Sequence, residues 1–264
     1  MTREELIQQL EAGDFTLSFS ALKQFAKSPA HFMAYKLGDK KETAAMKKGS
    51  LIHCAILEPQ ELENRYCILN REDLPNPDKD FRDSANKAFK LQFEEKAKEK
   101  GKKIVTPDEW ENALKHRDLA HNNEVVSPYL AKLVRTEQLV KFEFNGYQFR
   151  GVIDGLSKSF VLDLKTVSDA SPNRLKWAVM DGKYHWQHFL YNQSDSVQAY
   201  FDNFNLLIDG NGGMVLVKID QALLWEAESD LMRLLESFEN CRKNNLWHQN
   251  YEFWAGEKGY FVIN

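Results

Sequence analysis

Two aspartates and a lysine stand at Asp154, Asp163 and Lys165, a D-x8-D-x-K pattern inside GVIDGLSKSFVLDLKTV (151–167). Two carboxylates can hold a hard cation such as Mg2+. A cation so held can activate water, and an ammonium beside it can position that water or offset charge on a phosphate. Asp and Lys at the ends of an exposed hairpin are also common, so three residues alone leave a solvated turn open as the plainer reading. Against it stands their place within a segment of otherwise buried type, where unpaired charge is costly.

The segment that must position them reads as two β-strands around a polar turn. Val152, Ile153, Phe160, Val161 and Leu162 are β-formers, and Ser157, Lys158 and Ser159 supply the turn. Side chains alternate along a strand, so Val161, Asp163 and Lys165 share one side and Phe160, Leu162 and Leu164 the other. The turn would fold Asp154 back toward Asp163. Upstream, Glu137 opens a strand, EQLVKFEFN, and Asn145-Gly146 signals a tight hairpin into YQFRGVID. Three strands thus meander into the central stretch, and GGMVLVKID (212–220) supplies a fourth.

Helices surround them. Thr2 with Glu5 makes a capping box for a helix ending at Gly13. Ser18 or Ser20 starts a second helix, Ser28-Pro29 a third that Gly38 stops, and a charged linker (38–42) precedes a helix over 43–57. That last helix carries Lys47, Lys48, Gly49, Ser50 and His53. His53 reads either as packing or as a neutral imidazole ligand if the acids face it. The run from Lys87 to Lys103 holds seven lysines and three glutamates, and reads as a helix whose lysines face solvent or touch phosphates. Thr106, Pro107 and Glu109 open a helix reaching His121, and Ser171-Pro172 opens another that Gly182 interrupts. Residues 183–204 have helical apolar spacing throughout, with Gln187 and Tyr191 sharing a face, an ordinary polar edge on spacing alone. A long amphipathic helix follows over 222–244, and the tail keeps Trp247, Trp254, Tyr260 and Phe261, aromatic enough to dock.

The 264 residues, 43% hydrophobic, suffice for a sizeable core, and one domain is the natural reading of 1–264: a mainly helical part (1–135), a sheet-and-helix part (136–220), and a C-terminal helix with aromatic tail (221–264). Lys and Arg number 35 against 39 Asp and Glu, so any nucleic-acid contact must use local patches. Cys54, Cys67 and Cys241 fit no disulfide framework and neither zinc nor iron-sulfur spacing, which points to a reducing compartment and no iron-sulfur cluster. A charged start and the lack of a membrane-length apolar run suggest a soluble cytoplasmic protein with no membrane partner.

Four blocks carry a resemblance: SFSALKQFAKSPAHFMAYKLG, KKGSLIHCAILEPQELENRY, GVIDGL with VLDLKT, and KYHWQHFLYNQ. Together, from about residue 18 to 193, the sequence resembles the RecE-type exonucleases of the PD-(D/E)XK nuclease superfamily, related to lambda exonuclease and the RecB nuclease domains. Ile153 stands where the superfamily name has proline. The resemblance implies an α/β core, a central mixed sheet flanked by helices with a helical N-terminal region. It also implies Mg2+, for which Mn2+ can substitute, held by His53, Asp154, Asp163 and the Leu164 carbonyl. Lys165 would orient the attacking water, Glu137 would be the upstream acid, and Gln187 and Tyr191 would flank the site and touch the DNA backbone. Lys47 and Lys48 would stand on the walls of the DNA cleft. Such enzymes degrade double-stranded DNA from the 5′ end and leave 3′ tails for a RecT-type annealing protein, as rings of three or four subunits. A phage or prophage origin suits this resemblance, and its implied roles lie in DNA recombination and repair.

Overall fold

The computed structural model describes residues 1–38 and 43–258. Its first helices begin where short polar side chains accept N–H groups that lack intrahelical partners. A Thr2–Glu5 capping box opens α1 (Arg3–Ala12), and Gly13 ends it at φ 76°. Ser18 caps α2 (Phe19–Phe25), which settles the start left open between Ser18 and Ser20. Ser28 caps α3 (Pro29–Lys36) and Thr43 caps α4 (Ala44–Leu57). Beyond Gly38, the expected linker lies outside the described residues.

A one-turn helix, α5 (Leu62–Arg65), leads into β1 (Tyr66–Ile68). Asp83 caps α6 (Ser84–Glu99), and β2 (Lys103–Val105) pairs in parallel with β1. The helix expected to reach Lys103 stops at Glu99, because Gly101 turns the chain at φ 65° and Lys103 joins the small sheet. Strands of three residues carry too little alternation to stand out in a sequence. The Thr106–Glu109 capping box opens α7 (Pro107–Asn122), and α8 (Ser127–Leu130) follows.

The main sheet begins with β3 (Arg135–Phe144) and β4 (Tyr147–Leu156), joined at Asn145 (φ 48°) and Gly146 (φ 77°) by the left-handed pair a tight hairpin favours. Next comes β5 (Phe160–Val167), then α9 (Leu175–Gly182) and α10 (Tyr184–Tyr191), parted by Lys183 at φ 55°. The expected helix over 183–204 ends at Tyr191. Polar Asn192 to Ser196 turns the chain, and only residues 202–204 of that run enter a strand, β6 (Asp202–Asp209), whose residues 203–208 are buried without alternation, as in a strand covered on both faces. After β7 (Met214–Lys218), Asp220 caps α11 (Gln221–Lys243).

The strand order is β3-β4-β5-β6-β7, with an antiparallel meander, one parallel step from β5 to β6, and an antiparallel β7. This is a mixed α/β fold: a central mixed sheet flanked by helices, after a helical N-terminal region. Two apolar clusters pack against the sheet. One unites Leu10, Phe25, Phe32, Phe149 and Phe238; the other unites Leu51, Ile56, Ala113, Leu162 and Leu206. The tail docks as its aromatics suggested: Trp247 is fully buried and stacks on Phe32, while Trp254 Nε1 donates to the Lys27 carbonyl at 2.9 Å. Tyr260 and Phe261 lie outside the described residues. Among those residues, no helix is long and apolar enough to cross a membrane.

Candidate active site

The site forms where the sheet opens. Strands β4 and β5 pair at Gly155 with Leu162 and at Leu156 with Val161, and the ladder goes no further. Just beyond, Asp154 Oδ2 accepts the Leu164 N–H at 2.8 Å, a side chain taking the place of a backbone acceptor. The Leu164 carbonyl lies 2.6 Å from His53 Nε2, which reaches in from α4. Gly49 eases that approach: a Cβ there would stand 3.0 Å from Thr166 Oγ1, so the threonine side chain would have to give way. On β3, Glu137 stands opposite Asp154, between the pairs Thr136 with Gly155 and Gln138 with Ile153. Its φ of 49° is left-handed, which for a residue with a side chain costs about 1–3 kcal/mol and clusters at functional positions.

His53 Nε2 is 3.4 Å from Asp154 Oδ2, and Nδ1 is 3.8 Å from Glu137 Oε1. One ligand atom each from His53, Glu137 and Asp154 lies within 4.8 Å of the others. Imidazole, two carboxylates and an adjoining carbonyl are a donor set that fits a small divalent cation. The electrostatics agree. Burial, and next the Asp163 charge, push the Asp154 carboxyl up to about 7, although His53 and Lys165 pull the other way. Burial alone would depress His53, but Asp154, Glu137 and the Leu164 carbonyl overcome it and raise the imidazole to about 9. The pocket favours positive charge.

Asp163 is fully buried and stands outside that group of three. Its Oδ1 accepts from Lys165 Nζ and Gln187 Nε2, both at 2.8 Å, and its Oδ2 is 2.7 Å from Lys165 Nζ and accepts from Asn205 Nδ2 at 3.0 Å. Burial would lower the Lys165 pKa, but Asp163 and Asp154 hold it above the ordinary lysine value. Gln187 and Tyr191 are buried rather than presented as an open rim. Gln187 Nε2 donates to the Tyr191 hydroxyl at 2.8 Å, and that hydroxyl donates to the Val152 carbonyl at 2.6 Å. The chain Val152–Tyr191–Gln187–Asp163 therefore spans the gap between β4 and β5. Gly151 makes room for it, since a Cβ would stand 2.5 Å from the Tyr191 ring.

A cleft of about 750 Å3 opens over the group, lined by Ser50, His53, Arg65, Lys103, Glu137 and Lys165 among others. Lys47 and Lys48, expected on its walls, are not among its lining residues: one stripe of α4 (Met46, Gly49, Ser50, His53) faces the cleft, and the lysines fall off that stripe. Its cations besides Lys165 are Lys103, the last lysine of the lysine-rich run, and Arg65, which pairs with buried Glu58 at 2.7 Å. Sequence reasoning did not single out Arg65, although it lies within one of the four blocks that carry the resemblance. It also missed Asn205, whose strand begins inside the run 183–204 that apolar spacing assigns to a helix.

A family model described as a PDDEXK-like domain of unknown function (DUF3799) matches residues 18–208. Among solved structures, a protein from Eubacterium rectale named provisionally as an exonuclease is similar at TM-score 0.58 and 15% identity, over 90% of this chain and 84% of its own. At that identity the likeness concerns the fold alone. A second structure, SSO0001, reaches TM-score 0.27 at 15% identity, over 56% and 69% of the two chains, too low to carry an argument. No curated protein matches the sequence.

Proposed function

The chain belongs to the PDDEXK-like family matched over residues 18–208, and on that premise we propose that it is a divalent-metal-dependent nuclease acting on the ends of double-stranded DNA. The observation that carries the reading is the convergence of His53, Glu137 and Asp154 within 4.8 Å, beside Lys165, in an open cleft. Mg2+, or Mn2+ in its place, would be held by these three residues and the Leu164 carbonyl, with Asp163 completing the set if its carboxylate turns. When bound, the cation supplies charge neutralisation at a phosphoryl oxygen and strengthens water as a nucleophile. The protein's own residues do the rest. Lys165 keeps its proton beside Asp163, so it donates to an incoming water or phosphate oxygen without leaving its anchor. Gln187 and Tyr191 fix the Asp163 carboxylate and, through it, the lysine.

The finer reading is a 5′ to 3′ exodeoxyribonuclease that leaves 3′ tails for a RecT-type annealing partner in recombination or repair, as a ring of three or four subunits. Its support is the resemblance of the four sequence blocks to RecE-type exonucleases. The test uses linear duplex labelled at the 5′ or 3′ end, with Mg2+ or EDTA, alongside covalently closed circles. Early release of 5′ label with circles spared is the expected result. Cut circles would move the protein to the endonucleases, and an intact pool of every substrate would overturn the nuclease reading.

A further inference from the structure

The face of the β3–β4 hairpin that carries Glu137 and Asp154 continues away from them in rungs set by the register. Leu139 pairs with Val152, and Lys141 pairs with Arg150. Alternation places Glu137, Leu139 and Lys141 with Arg150, Val152 and Asp154 on one side, and all but Asp154 are exposed. The Lys141–Arg150 rung is unfavourable by itself, because like charges directly opposite on antiparallel strands repel. A third cation, Lys36 at the end of α3, comes close: burial and the Arg150 charge together lower its pKa. Ion pairs elsewhere on the surface engage other residues, and among the described residues none joins Lys36, Lys141 or Arg150 to an acid. Glu143, one rung further, already accepts from Gln148 Nε2 at 2.9 Å.

A groove of about 480 Å3 connects the Arg150 end of this rung to the site. Tyr35, Arg150, Val152 and Asp154 line it, so it ends on a carboxylate shared with the catalytic cleft. Four strand residues separate the rungs, about 13 Å, or roughly four nucleotide steps along a duplex axis. Between them the exposed Leu139 and Val152 offer apolar contact to sugar or base.

We propose that Lys141 and Arg150 bind a backbone phosphate of the nucleic-acid strand a few nucleotides from the bond cut beside Asp154. This subsite rests on the nuclease reading, and its test separates the two. Duplex binding is followed by fluorescence anisotropy in EDTA over a salt series for the wild type, K141Q/R150Q and the charge-keeping K141R/R150K, with cleavage kinetics in Mg2+. For K141Q/R150Q the slope of log affinity against log salt should fall by about one to two. Its KM should rise more than its kcat falls, and its melting temperature should not drop, since a repulsion is removed. K141R/R150K should keep the wild-type slope. If the wild type cleaves and K141Q/R150Q matches its slope and KM, the subsite is overturned and the nuclease reading stands. If the wild type cleaves nothing yet the glutamine variant loses the salt slope, the phosphate contact stands as a binding site, and the nuclease reading falls together with the contact's place beside a cut bond. Substrates with 5′-phosphate or 5′-hydroxyl ends identify the source: a defect confined to phosphorylated ends assigns a terminal phosphate, and an equal defect on both assigns an internal one.

Discussion

At the residue scale, the two aspartates of the D-x8-D-x-K pattern have separate tasks in this structure. Asp154 belongs with His53 and Glu137, whereas Asp163 is the hub on which Lys165, Gln187 and Asn205 converge. Asp163→Ala would strand the Lys165 ammonium and two amide donors in a buried setting, so it should destabilise the protein as well as abolish cleavage. The Lys165 side chain is 23% exposed, and water would relieve part of the loss, leaving about 1–3 kcal/mol. A thermal melt that coincides with the wild type would refute the hub assignment. Glu137 makes the complementary case. Glu137→Gln keeps its size and removes a charge from the ligand group, so calorimetric titration with Mn2+ should show affinity weaker by at least about tenfold. Unchanged affinity would return Glu137 to an ordinary surface acid.

At the element scale, function arises from a local failure of the sheet. The ladder between β4 and β5 stops after two pairs, and α10 bridges the gap through the Tyr191 and Gln187 side chains. Tyr191→Phe should therefore leave the Val152 carbonyl without its donor and take from Gln187 Nε2 one of its two acceptors, Asp163 remaining as the other, costing about 1–3 kcal/mol. The same change should lower kcat, because Asp163 and Lys165 lose their brace; a variant that melts lower but turns over at the wild-type rate would make Tyr191 a packing residue only. Much of this scale was legible in the sequence. Caps at Thr2, Ser28 and Thr106 and the Asn145-Gly146 turn act through neighbours in the chain, so local pattern reveals them. The strand β6 was hidden because a strand buried on both faces shows no alternation, and the spacing of Val197, Phe201 and Phe204 imitates a helix. With it went Asn205. Arg65 and the Lys141–Arg150 rung were hidden for another reason: their meaning depends on register and on which cavity they border, and these are tertiary facts.

At the scale of the whole molecule, the catalytic sheet must be tied to the helices around it, and one polar cluster does so far from the site. Glu239 on α11 pairs with Arg242 at 2.7 Å and accepts the Tyr147 hydroxyl of β4 at 2.7 Å, while Arg242 donates to the Leu10 and Glu11 carbonyls at the end of α1. Hydrogen bonding from Arg242, and next the Tyr147 hydroxyl against the opposing effect of burial, lowers the Glu239 carboxyl from 4.5 to about 2. Because the folded value lies below the unfolded one, this stabilisation is fully present above pH 4.5 and is lost as pH falls from 4.5 toward 2. The side chain is 27% exposed, so solvent screening reduces the contribution to about 1–2 kcal/mol. Glu239→Gln removes the titrating group and should flatten that part of the stability curve. Denaturant melts of both proteins at pH 6 and pH 3.5 read the difference: the variant should be less stable than the wild type at pH 6, and the gap should narrow at pH 3.5, where the Glu239 carboxyl of the unfolded wild type takes up a proton while the folded one stays ionised. A gap that stays constant between the two pH values would mean that the cluster holds α1, β4 and α11 together by packing rather than by charge.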